Sequence, residues 1–153
     1  MSIRILEPGF NVTIQDLGRA SFQHLGVPVS GAVSPVALKI GNALVGNKPD
    51  MACLEIRLIG PTIEVLCDAI RVALTGTITE IELIGENGRC RPANQSLVLK
   101  KGQKFKIGTI SDSGSAYLAI EGGFKLPEVY GSLSTYVRGS IGGFSGKALE
   151  QGD

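Results

Sequence analysis

The sequence predicts a mainly β protein with one principal helix. Three observations support this: glycine is unusually frequent, short β-rich runs recur at near-regular spacing, and one segment has helical spacing. Glycine accounts for 21 of 153 residues, against an average usage of about 7%. Frequent glycines indicate tight turns between short elements. The pattern favours a barrel or a sandwich over a doubly wound nucleotide fold, which needs helices alternating with strands.

Apolar runs between glycine, proline and aspartate breaks predict the strands. A first run begins at Ile3 and ends before Pro8 and Gly9. Seven further runs follow, each bounded by turn residues, at 53–58, 62–66, 70–75, 78–84, 96–99, 104–107 and 116–120. The glycine-rich stretch 131–146 is predicted to be an extended loop, and long loops in compact domains are often functional.

One segment carries the signals of a helix. Ser34 supplies an N-cap, and Pro35 suits the first helical turn. Apolar residues then follow near helical spacing until Gly46, so we predict a helix from Pro35 to about Val45. Gly41 inside it costs about 1 kcal/mol relative to alanine. It either marks close backbone packing or is simply tolerated.

The composition excludes several functional classes. Lys and Arg number 15, Asp and Glu 14, and the net charge is +1, so we expect no nucleic-acid binding. No apolar run is long enough to span a membrane, and no secretion signal is recognisable near the N-terminus. Cys53, Cys67 and Cys90 are odd in number and lack zinc or redox spacing. We predict a cytoplasmic protein of one domain, 1–153, with reduced thiols and no metal centre.

An acidic and a basic residue form the first candidate site. Asp16 and Arg19 lie three apart in a loop-like stretch. Arginine can hold a carboxylate or carbamate through two hydrogen bonds. The alternative is a local ion pair that closes a turn.

Three hydroxyls beside a glycine form the second candidate. Ser132, Ser134 and Thr135 follow Gly131, an arrangement that presents hydroxyl and backbone N–H donors to an anionic group. Ordinary turn capping accounts for it nearly as well. His24 is the single histidine, so any histidine-centred site depends on it, although a lone histidine is more often structural.

Eight stretches form an ordered pattern along the chain. They are TIQDLGR at 13–19, QHLGVPVSGAVS at 23–34, ALKIGNALVGN at 37–47, ACLEIRLIGPTIEV at 52–65, ALTG at 73–76, YLAIEGG at 117–123, GSLST at 131–135 and GGFSGKALEQGD at 142–153. Together they resemble the allophanate hydrolase subunit 2 family. This family includes the biotin-dependent carboxyltransferase domain of urea amidolyase, the C subunit of bacterial 5-oxoprolinase and an antagonist of the Kip kinase inhibitor.

The resemblance implies a cyclophilin-like β-barrel and a role as a component of a multi-subunit amide-processing enzyme. The first activity implied is the ATP-dependent opening of 5-oxoproline to glutamate, and the related one is biotin-dependent carboxyl transfer. ATP or carboxybiotin would then reach the site through partner subunits, so we expect this chain to bind no cofactor itself. The expected partners are a small amide substrate and a sister subunit resembling allophanate hydrolase subunit 1. A homo-oligomer of this chain is an open alternative.

Family members are roughly twice as long, so the resemblance implies that this chain is the N-terminal half and that the C-terminal half is absent. Two alternatives to an enzyme component follow. One is a non-catalytic binding or regulatory module that associates with a sister subunit similar to the Kip inhibitor. The other is an inactive, truncated remnant.

The resemblance also implies site residues. The catalytic candidates are Asp16, Arg19 and His24, and the substrate-binding candidates are Gln15, Ser30, Gly31, Ser132, Ser134, Thr135, Gly142 and Gly143. Arg19, the hydroxyls and the glycine-flanked amides would donate to developing oxyanions. Gln15 would orient an amide edge, and Asp16 or His24 would transfer a proton. Ser34 stands where the family usually has aspartate, which keeps an N-cap.

Overall fold

The computed structural model describes residues 2–85 and 88–153. In those ranges it contains ten β-strands, one α-helix and two short 3-10 helices. The strands are β1 (Ile3–Glu7), β2 (Thr13–Gln15), β3 (Cys53–Ile56), β4 (Thr62–Val65), β5 (Ala69–Thr75), β6 (Ile81–Ile84), β7 (Arg89–Arg91), β8 (Ser96–Lys100), β9 (Lys104–Ile107) and β10 (Ala116–Ile120). The helix α1 is Pro35–Val45, and the 3-10 helices are Gln23–Leu25 and Val137–Gly139. The predicted β-rich class is confirmed.

The strands form two five-stranded antiparallel sheets. The first sheet has the order β1-β4-β9-β6-β7, and the second has the order β2-β3-β10-β5-β8. Apolar residues from the inner faces of both sheets pack into one core. Since side chains alternate along a strand, the second sheet turns Leu54, Leu74 and Leu118 inward and presents its other face to α1.

The predicted helix is confirmed at both ends. The Ser34 hydroxyl accepts a hydrogen bond from the Ala37 N–H at 3.4 Å, and Gly46 ends the helix in the left-handed conformation. Gly41 faces the second sheet, where an added Cβ would lie 3.0 Å from Thr75 Oγ1. Of the two interpretations of this glycine, close backbone packing is therefore the correct one.

The structure corrects the strand predictions in four places. The sequence pattern missed β2, which is three residues long, and β7, whose residues Arg89–Arg91 are not alternately apolar. The run 53–58 ends at Ile56, because Leu58 has a φ of 59°. The run 78–84 begins only at Ile81, because the Asp112 carboxylate accepts hydrogen bonds from the Thr77 hydroxyl and the Ile78 N–H and so holds a turn there.

Two other features bear on the expected chemistry. None of the helices in ranges 2–85 and 88–153 has the length and apolar character needed to cross a membrane. Cys53, Cys67 and Cys90 are all free thiols, and burial raises the pKa of Cys53 to about 12. Cys53 is thus an inert thiol of the core.

Candidate functional site

Three irregular segments meet at the edge of the second sheet. They are the 15–19 loop, whose first residue ends β2, the 29–34 loop before α1, and the 129–135 segment. Backbone hydrogen bonds join them: the Arg19 N–H donates to the Val29 carbonyl at 2.8 Å, and the Ala32 N–H donates to the Asp16 carbonyl at 2.9 Å. The Thr135 N–H donates to the Ile14 carbonyl at 2.9 Å. The fold therefore brings together candidates that lie in three separate sequence motifs.

The Asp16 carboxylate is surrounded by four donors. The N–H groups of Gly18 and Leu133 donate to it at 2.7 and 2.6 Å, and the hydroxyls of Ser132 and Ser134 at 2.7 and 2.5 Å. Burial acts to raise the pKa of Asp16, but hydrogen bonds from Ser134, Ser132, Gly18 and Leu133 outweigh it and lower the pKa below its ordinary value. The anionic group that the two serine hydroxyls bind is thus a carboxylate of the chain itself.

Arg19 is only 1% exposed and binds the same segment. Its Nη2 donates to the Ser134 carbonyl, and its Nε donates to the Val129 carbonyl at 3.3 Å. Among the salt bridges of the described residues, none joins Asp16 to Arg19. Asp16 and Arg19 thus form no direct ion pair, and each side chain holds the 129–135 segment separately. Burial lowers the pKa of Arg19, and the Asp16 charge acts in the opposite direction.

Two buried polar atoms at this site lack partners within ranges 2–85 and 88–153. They are Nη1 of Arg19 and Oε1 of Gln15. The Gln15 side chain is otherwise fixed, since its Nε2 donates to Thr13 Oγ1 and to the Thr135 carbonyl, both at 3.0 Å. Buried polar groups normally have hydrogen-bond partners. The 15–19 loop thus holds one unused donor and one unused acceptor.

Ser30 and Gly31 contribute backbone rather than side-chain chemistry. Both are half-buried, with φ values of 56° and 92°. The described part of the chain contains no hydrogen-bond partner for either N–H. Gly31 is required sterically, because an added Cβ would lie 2.8 Å from the Gly18 nitrogen. The 29–34 loop therefore presents two free amide donors beside the 15–19 loop.

Gly142 and Gly143 pack a glycine-rich turn against the same site. An added Cβ on Gly142 would lie 2.8 Å from Arg19 Nη2, and one on Gly143 would overlap Thr135 Oγ1. The Thr135 hydroxyl itself donates to the Ile14 carbonyl at 3.0 Å. A cavity of about 310 Å³ adjoins the turn and is lined by Pro127, Val129, Ser140, Gly142, Gly143, Ser145 and Gly146.

A larger cleft of about 590 Å³ lies elsewhere. Its lining is mainly apolar and includes Ile14, Leu54, Phe124 and Phe144. None of the predicted site residues lines it. Because Ile14 and Gln15 are neighbours on β2, their side chains point to opposite faces. The polar site and the apolar cleft therefore lie on opposite sides of this strand.

His24 is not in contact with the other catalytic candidates. It lies exposed in the 3-10 helix Gln23–Leu25, and no hydrogen bond or ion pair involves its side chain in the described ranges. The neighbouring Phe22 ring packs on Tyr130, with ring centroids 4.8 Å apart. The structure thus anchors Phe22 to the 129–135 segment and leaves the His24 side chain exposed.

Sequence reasoning missed a second carboxylate next to the site. Glu55 on β3 is 3% exposed. Its Oε1 accepts from Arg57 Nη2 and Nε at 3.0 and 3.2 Å, and its Oε2 accepts from the Val33 N–H at 3.0 Å and the Tyr117 hydroxyl at 2.8 Å. The Tyr117 oxygen in turn accepts from the Ser34 N–H at 2.8 Å. Burial, together with the Glu55 carboxylate, raises the pKa of Tyr117 to about 12. The available signal was a glutamate within an otherwise apolar strand.

Comparison with known proteins assigns this arrangement to a family. The family described as carboxyltransferase domain, subdomain A and B, matches residues 25–153. Urea amidolyase of Saccharomyces cerevisiae is 34% identical over 153 residues, which cover 99% of this chain and 8% of that protein. The C subunit of 5-oxoprolinase from Escherichia coli is 36% identical over 151 residues, covering 99% of this chain and 47% of that protein. The chain thus spans about half the length of this second relative.

A solved structure agrees with these sequence relatives. The crystal structure of the Kluyveromyces lactis urea amidolyase superposes with a TM-score of 0.93 at 33% identity. The match covers 99% of this chain and 9% of that protein.

Proposed function

The chain belongs to the carboxyltransferase family of subdomains A and B, and from that premise we propose that it is a component of a multi-subunit amide-processing enzyme. The foremost type is that of the 5-oxoprolinase C subunit, in which 5-oxoproline is opened to glutamate at the expense of ATP. The related type is biotin-dependent carboxyl transfer to urea. Relatives named for both activities match 99% of the chain.

The observation that carries this proposal is the convergence of the 15–19, 29–34 and 129–135 segments. Reaction at an amide carbonyl develops negative charge on its oxygen, which preorganised N–H donors stabilise. The free amides of Ser30 and Gly31 are suitable donors. An amide carries both a carbonyl acceptor and an N–H donor, and the unpartnered Arg19 Nη1 and Gln15 Oε1 are a complementary donor and acceptor. Both atoms are buried, so a substrate would reach them only after the segments that cover them move.

In this proposal Asp16 does not transfer a proton, and Asp16 and Arg19 act by holding the 129–135 segment in place. The Asp16 carboxylate is ionised and held by four donors, and its lowered pKa makes it a weak base. Both residues therefore position the 129–135 segment. Of the catalytic candidates, His24 is left for proton transfer. Its side chain is exposed and makes no hydrogen bond to the site in the described ranges, so this role requires a partner subunit or substrate that covers the Gln23–Leu25 helix.

The proposed partner is a sister subunit similar to allophanate hydrolase subunit 1, which would cover the face that bears His24. ATP or carboxybiotin would be supplied through such partner subunits. The proposed compartment is the cytoplasm.

Reconstitution tests this function. The chain is combined with the partner subunits of a bacterial 5-oxoprolinase, with and without the second half of the Escherichia coli C subunit as a separate polypeptide. ATP-dependent glutamate formation from 5-oxoproline is scored against carboxybiotin-dependent carboxylation of urea. We expect glutamate. Carboxylation of urea alone would assign the related type, and an assembly with neither activity would contradict an enzymatic role.

A second candidate function is a non-catalytic binding module. Large apolar side chains are exposed near the site, with Leu25 at 61%, Val33 at 65% and Val36 at 68%. Such exposure is typical of protein contact surfaces. This candidate would be favoured by an assembly that forms through these exposed side chains, shows no turnover, and inhibits or releases the sister subunit.

A further inference from the structure

The buried carboxylate of Glu55 has no part in the chemistry proposed above. Nevertheless it accepts hydrogen bonds from three parts of the chain: Arg57 after β3, Val33 in the 29–34 loop, and Tyr117 on β10. Its neighbours on β3 are apolar and fully buried. Packing alone would be satisfied by an apolar side chain, and burying a carboxylate is costly unless it is paired and hydrogen-bonded. The Glu55 carboxylate therefore serves as a hydrogen-bond acceptor rather than as a packing side chain.

Glu55 and Tyr117 accept hydrogen bonds from the backbone just before α1. The N–H of Val33 donates to Glu55, and the N–H of Ser34 donates to the Tyr117 oxygen. A negative charge near the start of this 11-residue helix is also favoured by the helix dipole. Two consecutive N–H groups are thus fixed by one buried pair, Glu55 and Tyr117.

This pair holds one end of the 29–34 loop. The other attachments of the loop run to the 15–19 loop, through the Val29 carbonyl and the Ala32 N–H. The 15–19 loop then binds the 129–135 segment through Asp16 and Arg19. Contacts therefore lead from Glu55 through two loops to the serine hydroxyls.

We propose that Glu55, acting with Tyr117, is a positioning residue that sets the placement of the 29–34 loop and, through it, of the free Ser30 and Gly31 amides and the Asp16 carboxylate. The inference rests on the proposed function in taking these amides to face the substrate. Glu55 does not touch the substrate and acts through the loop.

Amide hydrogen exchange on the purified chain tests the positioning itself. Glu55→Gln is compared with wild type and with Glu64→Gln, whose carboxylate pairs with Arg4 on the outer surface of the first sheet. We expect exchange of the hydrogen-bonded amides of 32–34 and 132–135 to accelerate about tenfold in Glu55→Gln, with β5 and β10 unchanged and Glu64→Gln indistinguishable from wild type. Acceleration confined to Val33 and Ser34, or spread evenly over all strands, would overturn the proposal.

Tyr117→Phe provides a second variant in case Glu55→Gln does not fold. It keeps the ring but removes the hydroxyl, whose oxygen accepts from the Ser34 N–H and whose O–H donates to Glu55. The same pattern of accelerated exchange is expected, and unchanged exchange in 29–34 would overturn the proposal.

Turnover in the reconstituted assembly separates this inference from the proposed function. Glu55→Gln is expected to lower kcat with little change in KM, whereas Glu64→Gln leaves both unchanged. Normal kcat in Glu55→Gln despite faster loop exchange would overturn the positioning role. Absence of turnover in the wild-type assembly would overturn the proposed function, and the exchange pattern would still decide whether Glu55 positions the loops.

Discussion

Asp16 and Ser134 are joined by two reciprocal hydrogen bonds although 118 residues separate them. The Ser134 hydroxyl donates to the Asp16 carboxylate at 2.5 Å and accepts from the Asp16 N–H at 3.0 Å. This pair ties the end of β2 to the 129–135 segment. We expect the stability of the site to depend on this pair.

Asp16→Asn should lower the free energy of unfolding by about 2 to 3 kcal/mol near neutral pH, because charge-assisted hydrogen bonds from four donors are weakened. Urea denaturation monitored by circular dichroism measures this. Asp68→Asn is the control, since Asp68 lies outside the site in the turn before β5 and its variant should remain within about 0.5 kcal/mol of wild type. Equal effects of the two substitutions would contradict the account.

The contribution of Asp16 should depend on pH in one direction. Its pKa in the folded state lies below the ordinary value of 3.8, so ionised Asp16 stabilises the folded state. This stabilisation is complete above the ordinary value and is lost as the pH falls through the folded-state pKa. The difference in unfolding free energy between wild type and Asp16→Asn should therefore shrink below about pH 4. A difference that grows with acidity would contradict this assignment.

Arg19→Ala should reduce turnover of the reconstituted assembly about tenfold or more, since removal of the guanidinium frees two carbonyls of the 129–135 segment. Arg19→Lys should restore little, because lysine lacks the planar fork that reaches both carbonyls. Arg138→Ala is the control, as Arg138 is exposed in the 3-10 helix Val137–Gly139. Unchanged kinetics in Arg19→Ala would remove Arg19 from the site.

Gly142→Ala should lower the stability of the folded chain by more than positive-φ backbone strain alone would. Gly142 has a φ of 69°, and an added Cβ would overlap the Ser134 carbonyl oxygen. Gly122→Ala is the matched control, because Gly122 has a φ of 78° and no atom within 4 Å of an added Cβ. Strain at such positions costs about 1 to 3 kcal/mol. Thermal denaturation should show a clearly larger loss for Gly142→Ala, and equal losses would contradict the close packing.

The sequence predicts α1 and most strands because their signals are local. Ser34, Pro35 and Gly46 mark the helix ends within a short window, and turn residues bound the apolar runs. By contrast, β2 has only three residues, too few for a periodic pattern. The candidate loops were found from their residue types and the family resemblance.

Contacts between distant residues were beyond sequence reasoning. Ser132 and Ser134 were predicted to bind an anion, but that the anion is Asp16 depends on how the 129–135 segment lies along β2. Likewise, the Glu55–Tyr117 hydrogen bond follows from the pairing of β3 with β10, in which these two residues are directly opposed. Sequence spacing carries no information on that register.

Substitution beside the free Ser30 and Gly31 amides tests whether this chain forms part of an amide-processing site. Glutamate formation from 5-oxoproline is measured in the reconstituted assembly for wild type, Gly31→Ala and Gly26→Ala. A Cβ on Gly31 would lie 2.8 Å from the Gly18 nitrogen, whereas one on Gly26 meets no atom within 4 Å; both glycines have positive φ. We expect a loss of about tenfold or more in Gly31→Ala and near wild-type turnover in Gly26→Ala. Equal turnover in all three assemblies would contradict it.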